Sequence, residues 1–135
     1  MAIAPLLPDL VDADCDASNA VGDCVYPTGT RVSGKLQVAL ADPRDATKSP
    51  AFGVIVEKLT STTCVVRTRG ELDGVYSGLS IGAMVWLDLN GLLTQNNATI
   101  VALSGGEVIV QSMGIATDVD LVQLRPEMPM VRIGV

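Results

Sequence analysis

Short strand signals separated by glycine-containing turns are the feature that most restricts the fold of this chain. From Cys24 onward, apolar or alternating segments recur roughly every 8 to 14 residues, with pairs such as Asp73-Gly74 and Asn90-Gly91 between them. Asn-Gly and Asp-Gly readily adopt the positive φ angles that tight hairpin turns require. The pattern therefore predicts an all-β fold, a compact β-barrel or β-sandwich of short antiparallel strands.

The segment IGAMVWLDLNGLLTQ shows this pattern most clearly. Alternation places Val85, Leu87 and Leu89 on one face of a strand and Trp86 on the other, and Asn90-Gly91 predicts the turn into a returning strand. If the first face fills the core, two positions are open to the Trp86 side chain. It lies outward beside solvent or a partner, where tryptophan is enriched in binding hot spots, or it lies in a second core of the same domain.

The first 22 residues differ from the rest of the chain. They contain two prolines, a short apolar patch that includes Leu6, Leu7 and Leu10, and an acidic run. Neither the period of a strand nor that of a helix persists there. We therefore expect an extended N-terminal arm over residues 1–22, disordered in the free protein and ordered on assembly, and a β-barrel or β-sandwich domain over residues 23–135.

The distribution of charge excludes several classes of partner. The net charge is −6, and residues 1–30 contain five aspartates and neither lysine nor arginine. An acidic chain without a basic block and with few aromatic residues argues against nucleic-acid binding. Apolar runs are shorter than the roughly 18 residues of a membrane span, and the N-terminus has no basic region of the kind found in secretory signals. We expect neither a nucleic-acid nor a membrane partner.

Catalytic and metal-binding motifs are weak or missing. The chain has no histidine, which removes Ser-His-Asp and Cys-His arrangements and the commonest metal ligand. Asp12, Asp14, Asp16 and Asp23 have the spacing of ligands in a calcium loop, but Ala17 stands where that loop requires glycine. We therefore expect no enzymatic activity, no catalytic residues, no cofactor and no metal, and an acidic solvated segment in place of a calcium site.

Cysteine and arginine usage leads to two further expectations. Three cysteines without a CxxC pair (Cys15, Cys24 and Cys64) favour reduced thiols in a cytoplasmic product over a disulfide framework, with Cys64 as a small buried apolar residue. Arg67 and Arg69 alternate on one predicted strand and face the same side. They pair with the acidic N-terminal region, within one chain or between copies, or they belong to a solvated strand face.

The order of these motifs resembles small structural proteins of tailed bacteriophages. The resemblance spans residues 22–126 and rests on FGVIV, VRTRG, SGLSIGAMVWLDLNGLLT and QSMGIAT, which are mostly turn glycines and strand residues. It is closest in kind to capsid decoration (cement) proteins and to β-domains of phage head or tail fibres. These are non-enzymatic. The resemblance implies a homotrimer that binds the major capsid protein on the outer capsid surface of the virion, after synthesis in the host cytoplasm.

An alternative under the same resemblance is a tail, baseplate or fibre adaptor component, and a small enzyme or ligand-binding barrel is a third possibility. The candidate partner contacts are the apolar residues of the arm, the two arginines and the tryptophan: Leu6, Leu7, Leu10, Arg67, Arg69 and Trp86.

Overall fold

Strands account for about half of the described residues. The computed structural model describes residues 9–96, 98–101, 107–127 and 130–133. The strands are β1 (Leu10–Asp14), β2 (Cys24–Val32), β3 (Lys35–Leu40), β4 (Gly53–Lys58), β5 (Thr63–Arg67), β6 (Gly70–Asp73), β7 (Met84–Leu87), β8 (Leu93–Thr94), β9 (Glu107–Val110), β10 (Ser112–Asp118), β11 (Leu121–Leu124) and β12 (Met130–Ile133). Ala98–Val101 forms one α-helical turn, α1, and Ala46–Lys48 and Leu89–Gly91 form 3₁₀ turns. The predicted all-β class is confirmed.

The first five strands close into a barrel with the order β1-β3-β2-β4-β5. β1 runs parallel to β3 and antiparallel to β5, and these two pairings close the barrel. The remaining neighbours are antiparallel. Closure gives every strand a partner on both sides, which removes the free edges through which open sheets associate.

A second sheet follows the barrel, with the order β6-β11-β10-β7-β8. Its pairs are antiparallel. β9 and β12 form a separate antiparallel pair. The chain passes from the barrel to the second sheet over Thr68 and Arg69, so the continuous strand predicted through VVRTRGEL is divided into β5 and β6.

Two cores hold the barrel and the second sheet together. Inside the barrel, Val25 and Ile55 pack with the inward residues of β1 and β5. Their neighbours in sequence, Cys24 and Val54, face the other way and pack against residues of the second sheet such as Leu87. Because successive residues of a strand point to opposite faces, β2 and β4 contribute to both cores, which explains why apolar residues run continuously in β4.

The β-domain begins earlier in the chain than expected. Leu10–Asp14 is a barrel strand whose residues pair one to one with β5, from Leu10 opposite Arg67 to Asp14 opposite Thr63. Ala13 is fully buried in the barrel core. The prediction that all of residues 1–22 form an arm outside the β-domain, disordered in the free protein, is therefore wrong from Leu10 onward. Residues 1–8 lie outside the described residues.

Two local predictions have different outcomes. The hairpin at Asn90-Gly91 is confirmed, since both residues have positive φ angles (57° and 71°) and Leu87 pairs with Leu93. The segment TIVAL, residues 99–103, also predicts a strand from its apolar and β-branched residues. That prediction is wrong within the described residues, because Ala98–Val101 forms the helical turn α1. β-branched residues favour strands locally, but this turn packs Ile100 into a small cluster with Val108.

The three cysteines are free and buried, as predicted for Cys64. Burial, together with the neighbouring Cys15 thiol, raises the pKa of Cys64 from 9.0 to about 12. Burial also raises the pKa of Cys24 and of Tyr76. The Tyr76 hydroxyl donates a hydrogen bond of 2.8 Å to the carbonyl of Gly22 and so links the second sheet to the barrel.

We expect the free energy of unfolding to fall as the pH rises above about 9. The Cys64 thiol ionises near 9.0 in the unfolded chain but keeps its proton until about 12 in the folded protein. Over that window the unfolded state binds fewer protons, so alkali favours unfolding by up to about 1.4 kcal/mol per pH unit for this group. Urea unfolding of Cys64→Ala should show a smaller decline with pH than the wild type. Val66→Ala, a matched buried change on β5, should lower stability without altering the decline. If the free energy of unfolding of Cys64→Ala declines with pH as steeply as that of the wild type, the raised pKa of Cys64 is not the cause of the decline.

Candidate partner-binding surface

A cleft of about 490 Å³ lies where the barrel meets the second sheet. We call it the junction cleft. Four chain segments form it: the approach to β4, the crossover between β5 and β6, Gln111 between β9 and β10, and the segment that follows β11. Prolines and Phe52 supply apolar surface, and Arg69 and Arg125 bring positive charge. Its lining residues are Pro50, Ala51, Phe52, Thr68, Arg69, Gln111, Arg125, Pro126 and Glu127.

Gln111 fixes the shape of the junction cleft. This residue lies between β9 and β10 and is only 1% exposed. Its side-chain oxygen accepts a hydrogen bond from the backbone N–H of Ala51 at 2.9 Å, and its nitrogen donates to the Ala51 carbonyl at 2.8 Å. The same nitrogen donates to the Glu127 carbonyl at 3.3 Å. One amide therefore ties the barrel to the last segment of the second sheet.

The rim of the cleft carries exposed charges. Arg125 and Glu127 form an ion pair with an Nε–Oε1 distance of 3.7 Å, and their side chains are 69% and 52% exposed. Such a pair contributes little to stability because water screens it. Arg69 is exposed, and its backbone carbonyl accepts a hydrogen bond from Nη1 of Arg67 at 3.3 Å. The guanidinium groups of Arg69 and Arg125 are therefore placed where an approaching partner could contact them.

An exposed apolar pair adjoins the cleft on the outer face of the second sheet. Met84 on β7 and Ile115 on β10 are direct cross-strand partners, and they are 43% and 39% exposed. They border a hollow of about 300 Å³ that shares Arg125 and Glu127 with the junction cleft. We call the junction cleft together with Met84 and Ile115 the junction surface. Its apolar and arginine-containing lining matches the composition of protein–protein interfaces.

The structure places some of the sequence-predicted contact residues at this surface. Leu10 is half-buried in β1 and pairs with Arg67 on β5. Arg69, two residues further along, lines the junction cleft. The backbone N–H of Thr68, between the two arginines, donates to the Asp9 carbonyl at 2.7 Å, so the described chain begins beside the cleft. Leu6 and Leu7 lie outside the described residues.

Trp86 lies in the second sheet, on the same face of β7 as Met84. It is half-buried, and its ring packs against Ile100 and Val108 in a small cluster that α1 and β9 complete. Of the two alternatives for Trp86, the structure supports the second core of the same domain. The outward, partner-facing position is not found, because a segment after β8 covers this part of the strand.

The charged residues of the N-terminal region serve local structure. The carboxylate of Asp16 accepts hydrogen bonds from Ser18, and Asp23 accepts one from the backbone N–H of Ala20 at 2.8 Å. The ammonium group of Lys58 donates to three backbone carbonyls, those of Asp16, Asn19 and Ser61, at 2.9–3.1 Å. Within the described ranges no group of three or more acidic or cysteine side chains is placed to hold a metal.

The pairing expected for the arginines is not formed within one chain. In the part of the chain that the structure describes, the single ion pair is the one between Arg125 and Glu127. Neither Arg67 nor Arg69 reaches an aspartate of the N-terminal region there. Pairing between copies stays a prediction.

Sequence reasoning missed most of the junction surface. Phe52, Gln111 and Arg125 lie far apart in sequence, and no local pattern brings them together. The exposure of Met84 could have been predicted. Met84 and Trp86 are two residues apart and share one face of the strand, and the opposite face was assigned to the core. Ile115 has no such signal, since its exposure depends on what covers the sheet.

Comparison with known proteins does not extend this description. A scan against protein-family models and a search of curated proteins both give no match. No helix of the described residues is long and apolar enough to span a membrane. The class that the fold defines is an all-β protein in which a closed five-stranded barrel packs on a second antiparallel sheet.

Proposed function

We propose that this protein is a non-enzymatic structural protein of a tailed-bacteriophage virion, a capsid cement protein that binds and stabilises the lattice of the major capsid protein. The observation that carries the proposal is the junction surface, where the exposed pair Met84 and Ile115 adjoins an arginine-rimmed cleft. The resemblance of residues 22–126 to phage structural proteins supports the same function and supplies the class of partner.

The composition of the junction surface suits a large protein partner. Apolar side chains and arginine are enriched at the centre of protein interfaces, where burial contributes most of the affinity. The cleft is wide and its charged rim is solvated, whereas sites for small molecules bury most of the ligand. A rigid frame favours affinity because little conformational entropy is lost on binding, and Gln111 supplies that frame by joining three segments.

The proposed assembly is a homotrimer on the outer capsid surface, made in the host cytoplasm. A protein that binds only the assembled lattice stabilises that lattice by mass action. Loss of the protein should therefore leave capsid assembly intact and lower the resistance of the capsid to heat. A tail, baseplate or fibre adaptor is the alternative function, because the resemblance covers fibre domains as well.

Met84→Lys is expected to weaken attachment to capsids by about 10-fold or more, because it places a solvated ammonium group in the apolar part of the interface. The matched control is Leu59→Lys. Leu59 is 49% exposed, close to the 43% of Met84, but it lies after β4 in the barrel. The measurement mixes purified wild-type and variant proteins with capsids stripped of this protein, quantifies binding by sedimentation, and follows DNA release on heating.

Wild-type protein should bind and raise the temperature of DNA release, and Leu59→Lys should behave like the wild type. If wild-type protein binds heads without changing the release temperature, the cement function is wrong. If it binds tails and not heads, the alternative function replaces it. Equal binding by Met84→Lys and the wild type would exclude the junction surface as the contact while leaving the function open to the heat test.

A further inference from the structure

Cys15 and Cys64 meet inside the barrel at the seam between β1 and β5. Cys64 lies opposite Ala13, and the backbone N–H of Cys15 donates to the Thr62 carbonyl at 2.9 Å. The two cysteines are therefore diagonal neighbours on adjacent antiparallel strands. Both face the barrel core, with exposures of 5% and 0%, and the Cys15 thiol is near enough to raise the pKa of the Cys64 thiol.

This placement is close to what a disulfide requires. Diagonal neighbours in an antiparallel pair have Cα atoms roughly 7–8 Å apart, whereas disulfides span about 4.4–6.8 Å. Closing the bond thus needs a shift of about 1 Å. Cys15 follows the last residue of β1 and precedes a turn at Asp16–Asn19. A shift of its backbone therefore disturbs its own hydrogen bond to Thr62 and leaves the five β1–β5 pairs from Leu10 to Asp14 in place. Cys24, the third cysteine, belongs to the other core.

We propose that Cys15 and Cys64 are a modification site: a latent disulfide that forms when the protein meets an oxidant and covalently locks β1 onto β5. The oxidant class is a small-molecule disulfide, for which oxidised glutathione serves as the probe. The closed loop would contain roughly 50 residues, so the bond would remove much of the conformational freedom of the unfolded chain.

The disulfide forms by thiol–disulfide exchange in two steps. The Cys15 thiolate attacks one sulfur of oxidised glutathione, and the first glutathione leaves as a thiolate that takes up a proton. The Cys64 thiol then loses its proton, and its sulfur attacks the Cys15 sulfur of the mixed disulfide and expels the second glutathione. The two protein thiols lose two electrons and two protons, and these are recovered in two molecules of reduced glutathione.

Burial makes the reaction slow in the closed barrel. The thiolate is the reactive form, and both sulfurs are shielded from solvent. Oxidation therefore requires the end of β1 to open. If the protein has the proposed function, it is made in the reducing cytoplasm and later leaves the cell as part of the virion. The Cys15–Cys64 disulfide would then form after assembly. Only that timing rests on the proposed function, because the exchange itself needs neither capsid nor host.

The test incubates the reduced full-length protein with oxidised glutathione and measures intact mass without reductant, followed by peptide mapping. We expect a species that has lost two hydrogen atoms, a peptide link between Cys15 and Cys64, and a melting temperature higher by about 5 °C or more. Cys24→Ser should give the same link. Cys15→Ala and Cys64→Ala should each stop at a mixed disulfide or remain reduced.

Three outcomes would overturn the proposal: wild-type protein that stays fully reduced even in urea concentrations just below unfolding, a link that includes Cys24, or a bond between two copies. The wild-type result alone decides the matter if the alanine variants fail to fold. No capsid is present in this assay, so its result does not depend on whether the protein is a capsid cement protein. Equally, the absence of a Cys15–Cys64 disulfide would not count against the cement function.

Discussion

Gly114→Ala is expected to lower the free energy of unfolding by about 3–5 kcal/mol, the largest effect of an alanine substitution at the glycines that the structure describes. Gly114 has a φ angle of +149°, and a Cβ atom there would lie 2.1 Å from the Gln123 carbonyl oxygen. The clash is with backbone, and β10 is hydrogen-bonded on both sides, to β7 and to β11. Neither strand can move away without breaking its ladder.

Gly74→Ala is the matched control for this prediction. Gly74 also has a positive φ angle, +74°, but a Cβ atom there meets nothing within 4 Å. It should cost only the strain of the left-handed conformation, about 1–2 kcal/mol. Urea unfolding of both variants measures the difference. If the two variants lose equal stability, the close approach of β10 and β11 at Gly114 is not as the structure has it.

Gln111→Leu is expected to lower the free energy of unfolding by about 2–4 kcal/mol. Leucine fills much of the same volume but leaves the buried N–H and carbonyl of Ala51 without partners, and an unsatisfied buried polar group costs about 1–3 kcal/mol. The Glu127 carbonyl loses a partner as well. Because Gln111 joins the walls of the junction cleft, the variant should also bind stripped capsids more weakly than its stability alone explains.

Gln123→Leu controls for the loss of an amide in the same sheet. Gln123 is exposed on β11, and surface substitutions of this kind usually change stability by less than about 0.5 kcal/mol. Chemical denaturation gives the stability of each variant. Gln123 borders the hollow beside Met84 and Ile115, so Gln123→Leu is a control for stability alone. Sedimentation with capsids compares the binding of Gln111→Leu with that of the wild type at a temperature where both are folded. If Gln111→Leu lowers the free energy of unfolding by less than about 1 kcal/mol, water replaces the side-chain amide. The shape of the cleft then does not depend on the Gln111 amide.

The first strand shows why local patterns predict some elements and not others. β1 contains small and acidic residues, and only Ala13 is fully buried. Its strand conformation depends on two partners, β3 and β5, that lie more than 20 residues away. Arg67 and Arg69 are a second example. Alternation predicts that they lie on one side of a single strand, but β5 ends at Arg67 and the chain leaves the barrel before Arg69.

The sequence by itself determined the class of fold, the hairpin at Asn90-Gly91 and the buried face of β7. Those features depend on φ preferences and on the two-residue period, which act over a few neighbouring residues. Only the tertiary structure decided that β1 closes a barrel, that Trp86 is covered by α1 and β9, and that Gln111 builds a cleft from three segments. Each of these depends on contacts between residues distant in sequence, and on which surfaces remain uncovered after those contacts form.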